Sequence, residues 1–140
     1  MAKKQTWLNF WNDPLIILAM IILMIFVMLP IILPNDISKI PIAKSQILAT
    51  ENLITQYHTD TGFYPSTSDG LKSLMERPSG PPGAQWNGPY TMKPTFIDGW
   101  GYELHYQCPG THNPDSFDLW SYGADGIEGG TGKTADIGNW

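Results

Sequence analysis

The sequence contains few of the residues on which small extracytoplasmic domains often depend. Cys108 is the single cysteine, so the chain cannot form an internal disulfide, and a Cys-x-x-Cys metal or redox site is excluded. Charge is also scarce, since 15% of the residues are charged, and acidic residues outnumber basic ones to give a net charge of −5. An acidic surface repels nucleic acid, so we expect no nucleic-acid partner.

The longest apolar stretch runs from Pro14 to Leu33, PLIILAMIILMIFVMLPIIL, and contains no charge. At about 1.5 Å of rise per residue, a helix of this length spans roughly 30 Å, the hydrocarbon thickness of a bilayer. A cleaved signal peptide is the alternative, because Lys3 and Lys4 precede the run. The run is long for a signal peptide, however, and no small-residue cleavage site follows it. We therefore predict a single uncleaved transmembrane helix over residues 14–34, kinked at Pro30.

Residues 1–13 are predicted to lie at the cytoplasmic surface of the membrane. The basic start of the chain favours a cytoplasmic amino terminus. Trp7 and Trp11 suit the headgroup region, where an indole ring keeps one edge in water. Pro14 is the predicted first residue of the transmembrane helix, for which the lipid bilayer is the partner. Residues 35–140 are predicted to form a domain on the outer face of the membrane.

The domain at residues 35–140 shows a helical pattern followed by strand patterns. Apolar residues recur at spacings near three and four from Ala43 to His58, which predicts an amphipathic helix whose buried face also receives Leu48 and Leu53. Three short strand patterns follow, at residues 90–92, 102–107 and 117–122. We predict an α+β domain in which the helix packs on a small antiparallel sheet.

Two segments between the helix and the strands carry weaker signals. STSDGLKSLMERP predicts a short helix that buries Leu71 and Leu74 and is capped from residues 66–68. SGPPGAQWNGP is rich in proline and glycine, and it predicts an irregular region packed around Trp86.

Four segments together indicate a family: TGFYPSTSDGLKSLMERP, WNGPY, DGWGYELHY and FDLWSYGADGIEGGTGKTADIGNW. In this order they resemble the globular domain of the type II secretion major pseudopilins, and the C-terminal segment is the most specific of them. The resemblance covers about a hundred residues from Ala43 onward. It implies a pseudopilin-like α+β fold for residues 35–140 and a location in the bacterial inner membrane, with this domain in the periplasm.

The resemblance also implies a calcium ion in the C-terminal loop. Asp125 and Asp136 are then the side-chain ligands, with backbone carbonyl groups near Leu119, Tyr122 and Gly130 as further ligands. Calcium takes about six to eight oxygen ligands, and glycines let carbonyl groups turn inward at little steric cost. Without the resemblance, the same residues are typical of an Asp-Gly turn and a capping aspartate, so both interpretations stay open here.

The segment before the domain departs from the pseudopilin pattern. Members of that family have a short basic leader ending in glycine and a glutamate near the start of the mature chain. Here no glycine precedes Gly62, and the apolar run contains no glutamate. We therefore expect a structural, accessory subunit of a larger inner-membrane complex, with other integral membrane proteins as partners. The alternative is a major pseudopilin that polymerises with copies of itself into the pseudopilus.

The residues at the start of the predicted transmembrane segment add one detail to the accessory-subunit interpretation. Trp7, Phe10, Asp13 and Pro14 follow a spacing similar to that of light-harvesting polypeptides. That similarity suggests a photosynthetic assembly of the reaction-centre and light-harvesting type as the larger complex.

The sequence favours a protein without enzymatic activity. His58, His105 and His112 do not occur in an H-E-x-x-H or H-x-x-x-H spacing, and neither a P-loop nor a G-x-S-x-G motif is present. Cys108 is followed by Pro109 and is expected in a turn, where packing rather than nucleophilic chemistry is its role.

Overall fold

A computed structural model describes residues 13–32, 39–92 and 96–140 of the chain. The chain forms two compact units, Met1–Asn35 and Asp36–Trp140. The first unit contributes one described helix, and the second contributes two helices and a small sheet.

Helix α1 (Pro14–Ile32) is the described part of the first unit. The Asp13 carboxylate accepts a hydrogen bond from the Leu15 amide at 2.9 Å, and the Asp13 carbonyl accepts from the next two amides at 3.0 Å. These bonds satisfy donors that the start of a helix leaves unpaired. Pro14, the first helical residue, has no amide to satisfy. Large apolar side chains such as Phe26 (77%) are exposed along this helix.

The predicted span over residues 14–34 coincides with a helix that ends at Ile32. In the parts of the chain that the structure describes, no helix combines the length and the apolar character that crossing a membrane requires. Insertion into a bilayer stays a prediction. Pro30 lies inside the helix, and the predicted interfacial residues Trp7 and Trp11 fall outside the described residues.

Helix α2 (Lys39–Thr61) is the long helix of the second unit and extends the predicted Ala43–His58 helix at both ends. Its buried positions follow spacings of three and four, which confirms the amphipathic pattern: Ala43, Ile47, Thr50, Ile54, Tyr57 and Thr61. Leu48 is 59% exposed, so its predicted place on the buried face is wrong. One residue rotates a side chain by about 100° around a helix, which turns Leu48 away from the core. The helix stops at Gly62, as predicted, with φ at 76°.

The segment after α2 corrects one prediction. Gly70–Leu74 is a 3-10 helix, and Asp69 rather than a residue in 66–68 occupies its N-cap position. Leu71 and Leu74 are buried, as the apolar pattern indicated.

The region predicted to be irregular contains helix α3 (Pro81–Gln85). Its two prolines occupy the first helical positions, where a missing amide costs little and a fixed φ helps. Trp86 follows the helix, packs against the core and donates its indole N–H to the Ser73 carbonyl at 2.8 Å. The predicted packing around Trp86 is therefore confirmed.

A three-stranded antiparallel sheet follows, in the order β1 (His105–Gln107), β2 (Asp118–Ser121) and β3 (Ile137–Gly138). The first two strands lie inside the predicted ranges 102–107 and 117–122. The strand predicted at 90–92 is wrong, because the Tyr90 amide donates to the Leu74 carbonyl at 2.8 Å instead of joining a ladder. The third strand comes from the C-terminal segment, which has no strand pattern of its own.

The core of the second unit lies between α2 and the sheet. Its buried members come from the helix, the 3-10 turn, β2 and the residues just before β1 and β2: Ile47, Ile54, Tyr57, Leu71, Leu74, Leu104, Phe117 and Leu119. The predicted α+β arrangement of a helix on a small antiparallel sheet is thus confirmed for this unit.

Candidate functional site in the C-terminal loop

The loop from Tyr122 to Asp136 connects β2 to β3 and consists of two 3-10 turns, Gly123–Asp125 and Gly132–Thr134. Asp125 ends the first turn, and its Oδ1 accepts a hydrogen bond from the amide two residues on, at 3.2 Å. Gly126 then adopts φ of 67°, a left-handed conformation that glycine reaches without a Cβ clash. The predicted Asp-Gly turn is therefore present.

Asp136 closes the loop from its other end. Both of its carboxylate oxygens lie 3.0 Å from the Gly129 amide nitrogen and accept its hydrogen. Between Gly129 and Asp136, the side chains of Thr131 and Thr134 form a reciprocal capping box that fixes the second turn. Asp125 and Asp136 thus hold opposite ends of one loop through backbone amides.

Backbone carbonyl oxygens crowd against two glycines inside the loop. A Cβ added to Gly130 would overlap the Thr134 carbonyl oxygen, and one added to Gly123 would lie 2.8 Å from the Ala135 carbonyl oxygen. With the three carboxylates Asp125, Glu128 and Asp136, the loop therefore offers hard oxygen donors, the ligand type that calcium prefers. The donor chemistry fits calcium. In the residues described, no group of three or more His, Cys, Asp or Glu side chains is placed to hold a metal, so most ligands would be carbonyl groups.

The backbone carbonyl groups near Leu119, Tyr122 and Gly130, which the sequence analysis named as further calcium ligands, lie in different parts of the structure. The Leu119 carbonyl accepts the Asn139 amide at 3.2 Å and so belongs to the pairing of the chain end with β2. Tyr122 immediately precedes the first turn and Gly130 precedes the second, so both lie in the loop proper. The structure brings these two, but not Leu119, to the loop that contains both aspartates.

Asp118 is the polar centre beside this loop, and the sequence reasoning missed it. The side chain is 2% exposed, and its oxygens accept hydrogen bonds from the amides of Thr111 at 2.7 Å, His112 at 2.8 Å and Asn113 at 3.0 Å. The His112 ring and the Asn113 side-chain amide add contacts at 3.1 and 3.0 Å. Burial alone would raise the pKa of Asp118, but these hydrogen bonds outweigh it and hold the pKa below its ordinary value of 3.8.

Asn139 attaches the end of the chain to β2. Its Oδ1 accepts the Leu119 amide at 3.0 Å, and its Nδ2 donates to the Phe117 carbonyl at 3.1 Å. The side-chain amide therefore takes the part of a backbone peptide and extends the β2–β3 pairing by one residue. Sequence reasoning treated the N in DIGNW only as part of a family pattern.

Each of the three histidines packs against an aromatic ring. His58 stacks on Tyr64 with ring centroids 4.2 Å apart, and His105 stacks on Trp120 at 5.4 Å. His112 stacks on Trp140 at 3.8 Å, with the two ring planes 5° apart. These contacts give all three imidazole rings a packing role.

Comparison with known proteins identifies the family. The family model described as "Type II secretion system (T2SS), protein G" matches residues 31–140. The chain belongs to this family. It is 43% identical over 106 residues to the type II secretion system core protein G of Pseudomonas aeruginosa, covering 75% of this chain and 73% of that protein.

Two further proteins extend the comparison. The core protein G of Vibrio cholerae is 32% identical over 138 residues, which cover 99% of this chain and 93% of that protein. The crystal structure of the major pseudopilin from the type 2 secretion system of enterohaemorrhagic Escherichia coli matches with a TM-score of 0.59 and 28% identity, covering 78% of this chain and 96% of that one. The pseudopilin-like fold is thereby confirmed.

The comparisons favour the second of the two functions that the sequence left open. The Vibrio cholerae match spans nearly the whole chain, so the likeness to protein G is not confined to the globular domain. None of these relatives is a photosynthetic protein, so the suggested reaction-centre or light-harvesting assembly has no support. The family instead supports a pseudopilin.

Proposed function

We propose that this protein is a pseudopilin, a structural and non-enzymatic subunit that associates with copies of itself to form the pseudopilus of a type II secretion system. The observation that carries the proposal is the protein G family match over residues 31–140, together with the near full-length likeness to the Vibrio cholerae protein. The fold agrees with this role, because a long helix on a small sheet is the architecture shared with the enterohaemorrhagic Escherichia coli pseudopilin.

The apolar segment has a defined place in this proposal. Residues 14–33 carry no charge, and a helix that is apolar all round is stable only when lipid or protein covers it. We propose that this segment lies in the inner membrane before assembly, with the amino terminus in the cytoplasm and the domain in the periplasm. Packing of the same segments against each other then holds the subunits together.

Cross-linking of the full chain tests self-association. Cys108→Ser removes the native thiol, and Ile25→Cys then places a single thiol on the exposed apolar surface of α1. In cells that contain a complete type II secretion system, mild oxidation should give dimers joined through position 25. A matched thiol at the exposed Asn52 of α2 reports whether contact extends to the domain.

The opposite result would support the accessory-subunit interpretation. Purification in mild detergent would then yield a single copy of this chain in fixed ratio with other integral membrane proteins, and position 25 would give no homodimer. Deletion of the gene in its own organism adds a functional readout, because loss of type II secretion is expected only for a pseudopilin.

Calcium binding in the C-terminal loop is the second part of the proposal. Asp125, Asp136 and the carbonyl groups of the loop would hold the ion, which supplies positive charge between two carboxylates. Support comes from the all-oxygen donor set and from the carbonyl groups crowded at Gly123 and Gly130. A ligand that binds only the folded state stabilises it by about 2.7 kcal/mol at a concentration 100-fold above its dissociation constant.

Thermal unfolding tests the calcium site. Calcium should raise the melting temperature of the full chain in detergent, and excess chelator should reverse the rise. Asp125→Asn should abolish the response, whereas Asp115→Asn, which removes an exposed aspartate outside the loop, should retain it. A melting temperature that is identical with calcium and with chelator would remove the site.

A further inference from the structure

A cavity of about 190 Å³ lies on the side of the sheet that carries Trp120 and Tyr122. Tyr122 directly follows β2, and its ring stands next to that of Trp120, with centroids 6.1 Å apart and planes at 67°. Trp140, Glu128 and Asp136 also line the cavity. We call these five side chains the aromatic cage.

Trp140 forms the third aromatic wall of the cage. Its ring lies 6.2 Å from that of Trp120 at an angle of 59°, and it stacks on His112 on another side. Gly138 permits this position, because an added Cβ would overlap the Trp140 ring. Trp120 contacts both other rings at large angles, all three rings line the cavity, and Trp140 remains 50% exposed.

The charge around the cage is negative. Glu128 and Asp136 line the cavity, and buried Asp118 contributes a further carboxylate to its wall. The hydrogen bonds to Asp118 lower its pKa, so this group is ionised at neutral pH. Among the described residues, no lysine or arginine lines the cavity. Carboxylates and the electron-rich faces of Trp and Tyr all attract a cation.

The size of the cavity restricts the ligand. Pockets for drug-sized molecules measure roughly 300–1,000 Å³, so a volume of about 190 Å³ suits a head group instead. We propose that the aromatic cage binds a single organic cation with a quaternary ammonium or alkylammonium head group. This site shares Asp136 with the proposed calcium loop, but its three aromatic rings and Glu128 are required by neither subunit packing nor calcium binding, so it goes beyond the pseudopilin role.

Indole N–H signals in NMR spectra of the full chain test the proposal directly. A maltoside detergent is required, because its sugar head group carries no cation that could occupy the cage. Choline should shift the indole signals of Trp120 and Trp140 in a saturable manner and leave those of Trp86 and Trp100 unchanged. The neutral isostere of choline, with carbon in place of the quaternary nitrogen, controls for simple apolar binding. The titration is carried out with excess chelator, so that calcium bound in the loop cannot affect the result.

A second titration separates the two sources of such a cation. N-acetyl-lysine amide represents a protein side chain, and choline represents a small quaternary amine or lipid head group. Whichever binds more tightly identifies the source, and either preference supports the cage.

Two variants complete the test. Glu128→Gln removes an exposed charge without changing shape and should weaken choline binding about tenfold, because Glu128 lines the cavity. Trp140→Leu should weaken it by at least as much, with folding checked from the signals of Trp86 and Trp100. Glu103 is exposed and is not part of the cavity lining, so Glu103→Gln is the matched charge control. Equal shifts with the neutral isostere, or no saturable shift with either cation, would overturn the proposal.

Discussion

Replacing Asp118 with asparagine tests how much the hydrogen bonds to its carboxylate stabilise the C-terminal part of the domain. The side chain is 2% exposed, and its Oδ2 accepts the amides of Thr111 at 2.7 Å and His112 at 2.8 Å while its Oδ1 accepts the Asn113 amide at 3.0 Å. Asparagine keeps the shape of the side chain but replaces one acceptor oxygen with an NH2 group. In either orientation, that NH2 group faces at least one backbone N–H donor.

The size of the expected effect follows from these contacts. Hydrogen bonds to a charged group contribute about 1.5–3 kcal/mol, and a buried donor without an acceptor costs about 1–3 kcal/mol. We therefore expect Asp118→Asn to lower the free energy of unfolding by about 3 kcal/mol, out of a total of about 5–15 kcal/mol for a domain. For a domain of roughly a hundred residues this corresponds to a fall in melting temperature of about 12–24 °C.

Near-UV circular dichroism of the full chain in detergent, recorded during heating at neutral pH, provides the measurement. Asp115→Asn is the matched control, because Asp115 is an exposed aspartate three residues away in the same region. The control should melt with the wild-type protein. If Asp118→Asn also melts with the wild type, the hydrogen bonds to this carboxylate do not hold the domain together and the reasoning fails.

Acid provides an independent measure of the same carboxylate. The hydrogen-bonded state lowers the pKa of Asp118 below 3.8. The stabilisation is therefore present above pH 3.8 and is lost as the pH falls through the lowered pKa of the folded state. The difference in melting temperature between wild type and Asp118→Asn should shrink over that acidic range, and a constant difference would contradict the assignment.

Two further predictions concern the supports of the same region. Gly110→Ala should destabilise the domain by more than Gly62→Ala, because a Cβ at position 110 would overlap the buried carboxylate, whereas a Cβ at position 62 has open space and is opposed only by the left-handed φ of 76°; equal melting temperatures would contradict this. Thr67→Val should cost about 1–2 kcal/mol, since the Thr67 hydroxyl bonds both the amide and the carbonyl of Cys108. Thr55→Val, whose hydroxyl bonds only its own helix, should cost less in the same melts.

The long helix could be predicted because its signal is local. Buried positions from Ala43 to Thr61 repeat every three or four residues, and Gly62 supplies the stop. The start at Lys39 was missed because Pro41 resembles a helix breaker, although proline is tolerated in the first turn. The apolar periodicity therefore predicted the position of α2, whereas its first residue depended on where proline is sterically tolerated.

The sheet and the candidate site depend on contacts that no local pattern encodes. β3 consists of Ile137 and Gly138 alone, too short for an alternating pattern. Asp118 receives its hydrogen bonds from residues 111–113, a loop whose path is fixed only in the folded chain. The family resemblance indicated Asp125 and Asp136, whereas Asp118 and the aromatic cage required the folded structure.

The C-terminal loop is already closed by hydrogen bonds within the chain, so an ion bound there would not be needed to order it. Asn139 ties the chain end to β2, and Asp136 joins the Gly129 amide. Much of the conformational entropy of the loop is therefore lost on folding, before any ion binds. A bound cation would thus add stability to an ordered loop instead of creating it. Chelation is accordingly expected to lower the melting temperature while leaving the stacking of Trp140 on His112 in place, which separates the loop from the aromatic cage experimentally.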